Sequence, residues 1–98
     1  MAYALRWSPV SVEDLREVVR FIAQDSADRA GSFAVRLMAQ ADRLQDFPEI
    51  GRVVPELGDP TVRELIFRPY RIVYRVSRER QRVEIVRVWH SARGVPAV

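Results

Sequence analysis

After a short opening segment the hydrophobic spacing of this chain changes from one long-range period to another, and that change divides the fold in two. Between residues 12 and 44 apolar side chains recur at three- and four-residue steps, the period of a helix face. From Val62 onward they alternate, the period of a strand. Between the two lies "PEIGRVVPELGDP" (48–60), with three prolines, two glycines and no helical period, a loop crossing from helices to sheet.

Each half supplies its own punctuation. "YALRW" puts Tyr3, Leu5 and Trp7 on one side of an extended segment, as a first strand would. Val12, Leu15, Val19 and Ile22 then form the stripe of an amphipathic helix, with Ser8 as N-cap before Pro9 in the first turn, and Ser11 with Asp14 as a competing start. Ser26 caps a second helix with the stripe Ala30, Ala34, Leu37, Ala41, Leu44 and Phe33 alongside; Pro48 ends it near Phe47. So short a connection predicts an antiparallel helical hairpin. "VRELIF", "YRIVYRV" and "RVEIVRVWH", separated by Arg68-Pro69 and "SRERQ", read as a three-stranded antiparallel meander. The fold class is therefore α+β, ordered β-α-α-β-β-β, with the hairpin on one face of a small, largely antiparallel sheet and residues 1–98 forming one domain. Tyr70, Ile72, Tyr74 and Val76 should face the helices, leaving Arg71, Val73 and Arg75 on the opposite face. In the last strand Val83, Ile85 and Trp89 share one parity and Val86, Val88 and His90 the other, which a bulge near Val86-Arg87 would reconcile.

Charge is unevenly spread. The formal net charge is +3, but residues 1–50 carry six arginines against eight acids while residues 51–98 carry ten against five. All sixteen cations are arginine, which removes any lysine nucleophile and favours forked contacts to phosphate or carboxylate. The chain has no cysteine, so it can form neither a disulfide nor a thiolate metal site, and a reducing, cytoplasmic setting is expected. A lone histidine makes no standard zinc site, the carboxylates lack calcium-loop spacing, and four glycines draw no phosphate-binding loop. No cofactor or metal is expected. The N-terminus has no basic head followed by an apolar run, and no stretch approaches the ~20 apolar residues of a membrane span, so export and membrane insertion are not expected.

The succession "WSP", "FPEIGRVVPEL", "VREL", "YRIVYRV" and "VEIVRVWHSAR", in that order over about 90 residues, resembles the RelE/ParE family of toxins from bacterial type II toxin–antitoxin modules. The resemblance implies a small toxin held inactive by a cognate antitoxin, in a toxin–antitoxin hetero-oligomer, and one of two activities that the shared fold does not separate. A ParE-like toxin binds DNA gyrase without doing chemistry. A RelE-like toxin enters the ribosome and cleaves mRNA, which requires a base for the 2′-hydroxyl, a cation for the phosphate and an acid for the leaving oxygen.

For the ribonuclease, the resemblance implies Glu56 as base, Arg71 as phosphate clamp and His90 as acid. For partner binding the candidates are Arg63, Arg71, Arg75, Arg87 and Arg93, expected to meet antitoxin acids while apolar antitoxin residues enter a groove beside the helical hairpin. The tail "SARGVPAV" lacks the aromatic or histidine pair of several ribosome-dependent members, and the absence of lysine departs from them too. The wording of "FPEIGRVVPEL" and "VRVWHSAR" is closer to the ParE branch, so the favoured expectation is a non-enzymatic gyrase inhibitor. A plain RNA-binding module ranks third, because no aromatic stacking strand accompanies the basic half.

Overall fold

The computed structural model describes residues 2–98. Strand β1 (Ala4–Trp7) leads into helix α1 (Pro9–Ala23) and helix α2 (Ala27–Asp42), followed by a 3-10 turn at Arg43–Gln45. Then come β2 (Arg52–Val53), β3 (Val62–Phe67), β4 (Tyr70–Ser77) and β5 (Arg82–His90). The five strands form one sheet in the order β1-β5-β4-β3-β2, antiparallel throughout except that β1 runs parallel to β5. No helix among the described residues is long and apolar enough to cross a membrane.

The helix starts follow the capping chemistry. The Ser8 hydroxyl accepts from the Ser11 amide at 3.0 Å, and the Ser26 hydroxyl accepts from the Arg29 amide at 3.1 Å. Helix α2 buries the small-and-large stripe Ala30, Phe33, Leu37 and Ala41 against the sheet, where Ile72, Tyr74, Val76, Val83, Ile85 and Val88 meet it. Phe33 anchors one end, with edge-to-face contacts to Phe67 and Tyr70 at centroid distances of 5.4 and 5.5 Å.

Helix α1 sits differently from its apolar periodicity. Its two buried residues are the polar Ser11 and Asp14, while Val12, Leu15 and Val19 are only partly covered. The cause is the short β1. It pairs with β5 only over Arg82–Ile85, so the rest of that edge of β5 has no strand beside it. The start of α1 takes the strand's place: the Ser8 amide donates to the Ile85 carbonyl at 2.9 Å, the Ser8 hydroxyl to the Val86 carbonyl at 3.2 Å, and Asp14 accepts from the Val88 amide at 3.0 Å.

Two sequence expectations are refined. The 48–60 segment is not all loop, since Arg52–Val53 pairs with Arg63 and Glu64 as a short edge strand, making five strands rather than four. The sheet face away from the helices, where Arg71, Val73 and Arg75 were expected, is also partly covered. Val54, Val62, Val73, Val86 and Trp89 form a second, smaller core there, with Leu57 against it. The loop after β2 folds back over this face, with Val54 donating to the Val62 carbonyl, and the C-terminal segment crosses it with Pro96 buried. The bulge in β5 falls where the alternation breaks: Val73 pairs with Arg87 and Tyr74 with Ile85, leaving Val86 unmatched. It turns Val83, Ile85 and Val88 toward the helices and Val86 and Trp89 away.

Candidate functional site: an arginine held by two carboxylates

The sheet register assembles the charged centre. Glu64 of β3 lies directly opposite Arg52 of β2, and Arg71 of β4 lies opposite Ile66, one diagonal step from Glu64 on the same face. Glu64 is fully buried and accepts from the Nε of Arg71 and, at 2.7 Å, from the Nε of Arg52. The outward fork of Arg71 is closed by Glu56, which arrives from the loop after β2. Arg71 Nη2 donates to Glu56 Oε1 at 2.8 Å and Nη1 to Oε2 at 2.9 Å. Nη1 also reaches the Gly94 carbonyl at 3.3 Å, and the Trp89 indole donates to the same oxygen at 3.1 Å. Gly94 takes φ 83°, a conformation glycine adopts freely, to present that carbonyl. Loop, sheet and tail are thus joined through one guanidinium.

These contacts set the protonation chemistry. The hydrogen bonds from Arg71 pull the Glu56 carboxyl down to about 2, despite some desolvation. The same pairing, with Glu64 behind it, raises the Arg71 guanidinium further above its ordinary range. A carboxylate this weakly basic is poorly suited to taking a proton from a hydroxyl near neutral pH.

His90 stands elsewhere. It pairs across the ladder with Tyr70, which packs toward the helices, and their rings meet edge to face at 5.2 Å. Its Nδ1 accepts from the Ala92 amide at 3.0 Å and so caps the 3-10 turn at Ser91–Arg93, leaving the neutral ring its proton on Nε2. Of the three residues named for RNA cleavage, the fold brings Glu56 and Arg71 into contact on one face and puts His90 with Tyr70 on the other.

The partner-binding candidates are also dispersed. Arg63 donates to the Gly51 carbonyl at 2.9 Å. Arg87 grips Asp14 with two bonds of 2.8 and 2.9 Å, which raises its own pKa, and lies 4.9 Å from the Trp89 ring centre. Arg93 stacks on the same ring at 3.8 Å. Arg75 is exposed and has no ion pair among the described residues. A separate apolar groove of about 480 Å³ runs between the helices, lined by Trp7, Val12, Leu15, Val19, Ala34 and Met38, with Arg16 at its rim. It accounts for the incomplete burial of the α1 stripe.

Glu64, Arg52 and Asp14 are the site residues that periodicity did not single out. Glu64 had a signal, a carboxylate at a position whose parity it shares with the buried Val62. Asp14 had none, because it reads equally well as a helix-start residue.

A helical hairpin on a five-stranded sheet of this order is shared with solved structures. The chain superposes on the chromosomal ParDE toxin–antitoxin system of P. aeruginosa with a TM-score of 0.74 at 21% identity, covering 91% of this chain and 96% of that one. It superposes on an arginine-to-alanine mutant of E. coli toxin RelE in the free state with a TM-score of 0.71 at 19% identity, covering 96% and 88%. In sequence it is 39% identical over 88 residues to Toxin RelE2 of Caulobacter vibrioides, covering 89% of this chain and 93% of the relative. Residues 5–95 match the family model of the ParE toxin of the type II toxin–antitoxin system parDE. The chain belongs to that family and is a type II toxin–antitoxin toxin.

Proposed function

We propose that this toxin arrests growth in the ParE manner, by binding DNA gyrase without performing chemistry, and that a cognate antitoxin neutralises it. The observation that carries this reading is that His90 stands apart from a Glu56–Arg71 pair already closed on itself. Glu56 is spent on Arg71, four of the five Arg71 donors are already engaged by Glu64, Glu56 and Gly94, and His90 lies across the sheet as a cap. A toxin that works by occupying a surface needs no assembled acid, base and clamp. For the antitoxin, the groove between α1 and α2 suits the apolar face of an amphipathic segment, with acids meeting Arg16 beside it. Two of the solved neighbours are themselves toxin–antitoxin complexes, RelBE2 of Mycobacterium tuberculosis and E. coli RelE with a RelB peptide.

The second reading is the RelE-like mRNA endonuclease. It is favoured by the relative called Toxin RelE2 and by the direct Glu56–Arg71 contact at a surface depression. One pair of assays decides. Purified toxin is given to translating ribosomes in one tube, and to gyrase with relaxed DNA in another. Blocked supercoiling with intact mRNA is expected; mRNA cuts that vanish in His90→Ala, with supercoiling normal, would overturn the proposal.

A further inference from the structure

The Arg71 fork already holds a ligand, and that ligand belongs to the protein. Glu56 reaches it from a surface loop and is itself about a third exposed, whereas Arg71 is buried at 7%. The two oxygens of Glu56 meet the two terminal nitrogens at 2.8 and 2.9 Å, a bidentate pairing of guanidinium with carboxylate. Around the fork lies a depression lined by Arg52, Pro55, Ile66, Arg68 and Ser91. Arg68 at its rim is exposed and has no ion pair among the described residues.

We propose that Glu56 is a placeholder in a carboxylate-binding site built on Arg71, and that an aspartate or glutamate side chain of a protein partner takes the fork in exchange. The partner clause rests on the toxin–antitoxin reading above; the site itself does not. Three observations fix the ligand class. With Glu56 withdrawn, the hydrogen-bonded cluster at the fork, Arg52, Arg71 and the buried Glu64, carries +1, which one monoanion neutralises, and the exposed Arg68 at the rim adds to the attraction for an anion. The Gly94 carbonyl against Nη1 disfavours the additional oxygens of a tetrahedral anion beside the fork, while a planar two-oxygen group fits as Glu56 does. The Nε of Arg71 is fixed by Glu64, so the fork keeps its direction when Glu56 leaves. The low proton affinity of Glu56 means that acidification within the physiological range does not open the site, so only a competing carboxylate does.

The test uses the full chain as wild type, Glu56→Ala, Glu56→Gln and, as a control for the same loss of charge, Glu79→Ala in the exposed β4–β5 turn. Acetate is titrated against chloride of equal ionic strength, with the thermal midpoint and the NMR signals of the Arg71 guanidinium as readouts. Acetate should raise the midpoint of Glu56→Ala and shift the Arg71 signals, and should do neither in wild type or Glu79→Ala. A hexaglutamate peptide should bind Glu56→Ala at least about tenfold more tightly than wild type, because a site masked over nine-tenths of the time loses that factor in apparent affinity. Glu79→Ala should stay within about twofold of wild type on the same scale.

Silence of Glu56→Ala toward acetate overturns the proposal, as does equal hexaglutamate affinity in wild type and Glu56→Ala. Inorganic phosphate that binds the opened site where acetate does not would overturn the ligand class. Glu56→Gln repeats both titrations should the alanine variant not fold. Neither antitoxin nor target is present in the acetate arm, so its failure removes the placeholder and leaves the toxin reading standing. A chain that binds acetate but arrests nothing would do the reverse.

Discussion

Replacing Asp14 by alanine should be among the most damaging single changes on α1, although the residue is a helical carboxylate that sequence alone would place in solvent. Asp14 accepts three hydrogen bonds, two from Arg87 at 2.8 and 2.9 Å and one from the Val88 amide at 3.0 Å. Val88 is 3% exposed, so losing its acceptor strands a buried amide, a cost of about 1–3 kcal/mol. The charge-assisted pair adds about 1.5–3 kcal/mol, part of which returns when the Arg87 head, 18% exposed, rehydrates. The expected net loss is about 3 kcal/mol, a large share of the ~5–15 kcal/mol that holds a domain of this size together. Asp14→Asn keeps an acceptor for the amide but not the charge, and should lose roughly half as much. With a urea slope of about 1.5 kcal/mol per molar, Asp14→Ala should lower the unfolding midpoint by about 2 M. An alanine variant within about 0.5 M of wild type, or one no worse than the asparagine variant, would refute the idea that α1 is latched to the β5 edge through this carboxylate.

Other outcomes follow from the same packing. Leu37→Ala, at a fully buried position of α2, should destabilise by about 2–5 kcal/mol in chemical denaturation. Arg71→Ala leaves the buried Glu64 with Arg52 alone and should cost about 3–5 kcal/mol, while pairing Arg71→Met with Glu64→Leu should recover much of that loss. Because the Arg71 fork holds the Glu56 carboxyl down at about 2, below its ordinary 4.5, its stabilising contribution should be complete above about pH 4.5 and fade as pH falls toward 2. Urea midpoints of wild type and Glu56→Gln should therefore converge over that interval, and a constant gap would show the pairing absent in solution. Gly51→Ala should destabilise, since a Cβ there would stand 2.6 Å from the Tyr74 hydroxyl that receives the Gly51 amide's hydrogen bond.

Element types were legible in the sequence because each rests on local chemistry. Ser8 and Ser26 cap the helices they precede, and the broken alternation at Val86-Arg87 marks a real bulge. Less legible was anything decided by a neighbour distant in the chain. The two-residue β2 has no period to detect, and it becomes a strand only because Glu64 and Arg63 lie opposite it. The alternation in β4 put Arg71 and Val73 on the far face correctly, but nothing local says that the 54–57 loop and the C-terminal segment will cover that face and turn it into a second core. The charged centre followed the same rule. Glu56 and Arg71 were readable as reactive types, whereas their mutual commitment depends on Glu64 seven residues before Arg71 and on a carbonyl twenty-three residues after it.

The Asp14 latch has a consequence for how opening of this protein is timed. The Val88 amide belongs to a strand, yet its hydrogen bond goes to a helix side chain rather than into the ladder. Its deuterium exchange should therefore report departure of α1 from the sheet edge, while inward-facing amides of β5 report separation of the strands. A segment that settles between α1 and α2 and presses the helix onto that edge would slow exchange at this single proton before it slowed any other in β5. One amide thereby becomes a clock for the helix, readable in a molecule whose sheet never opens.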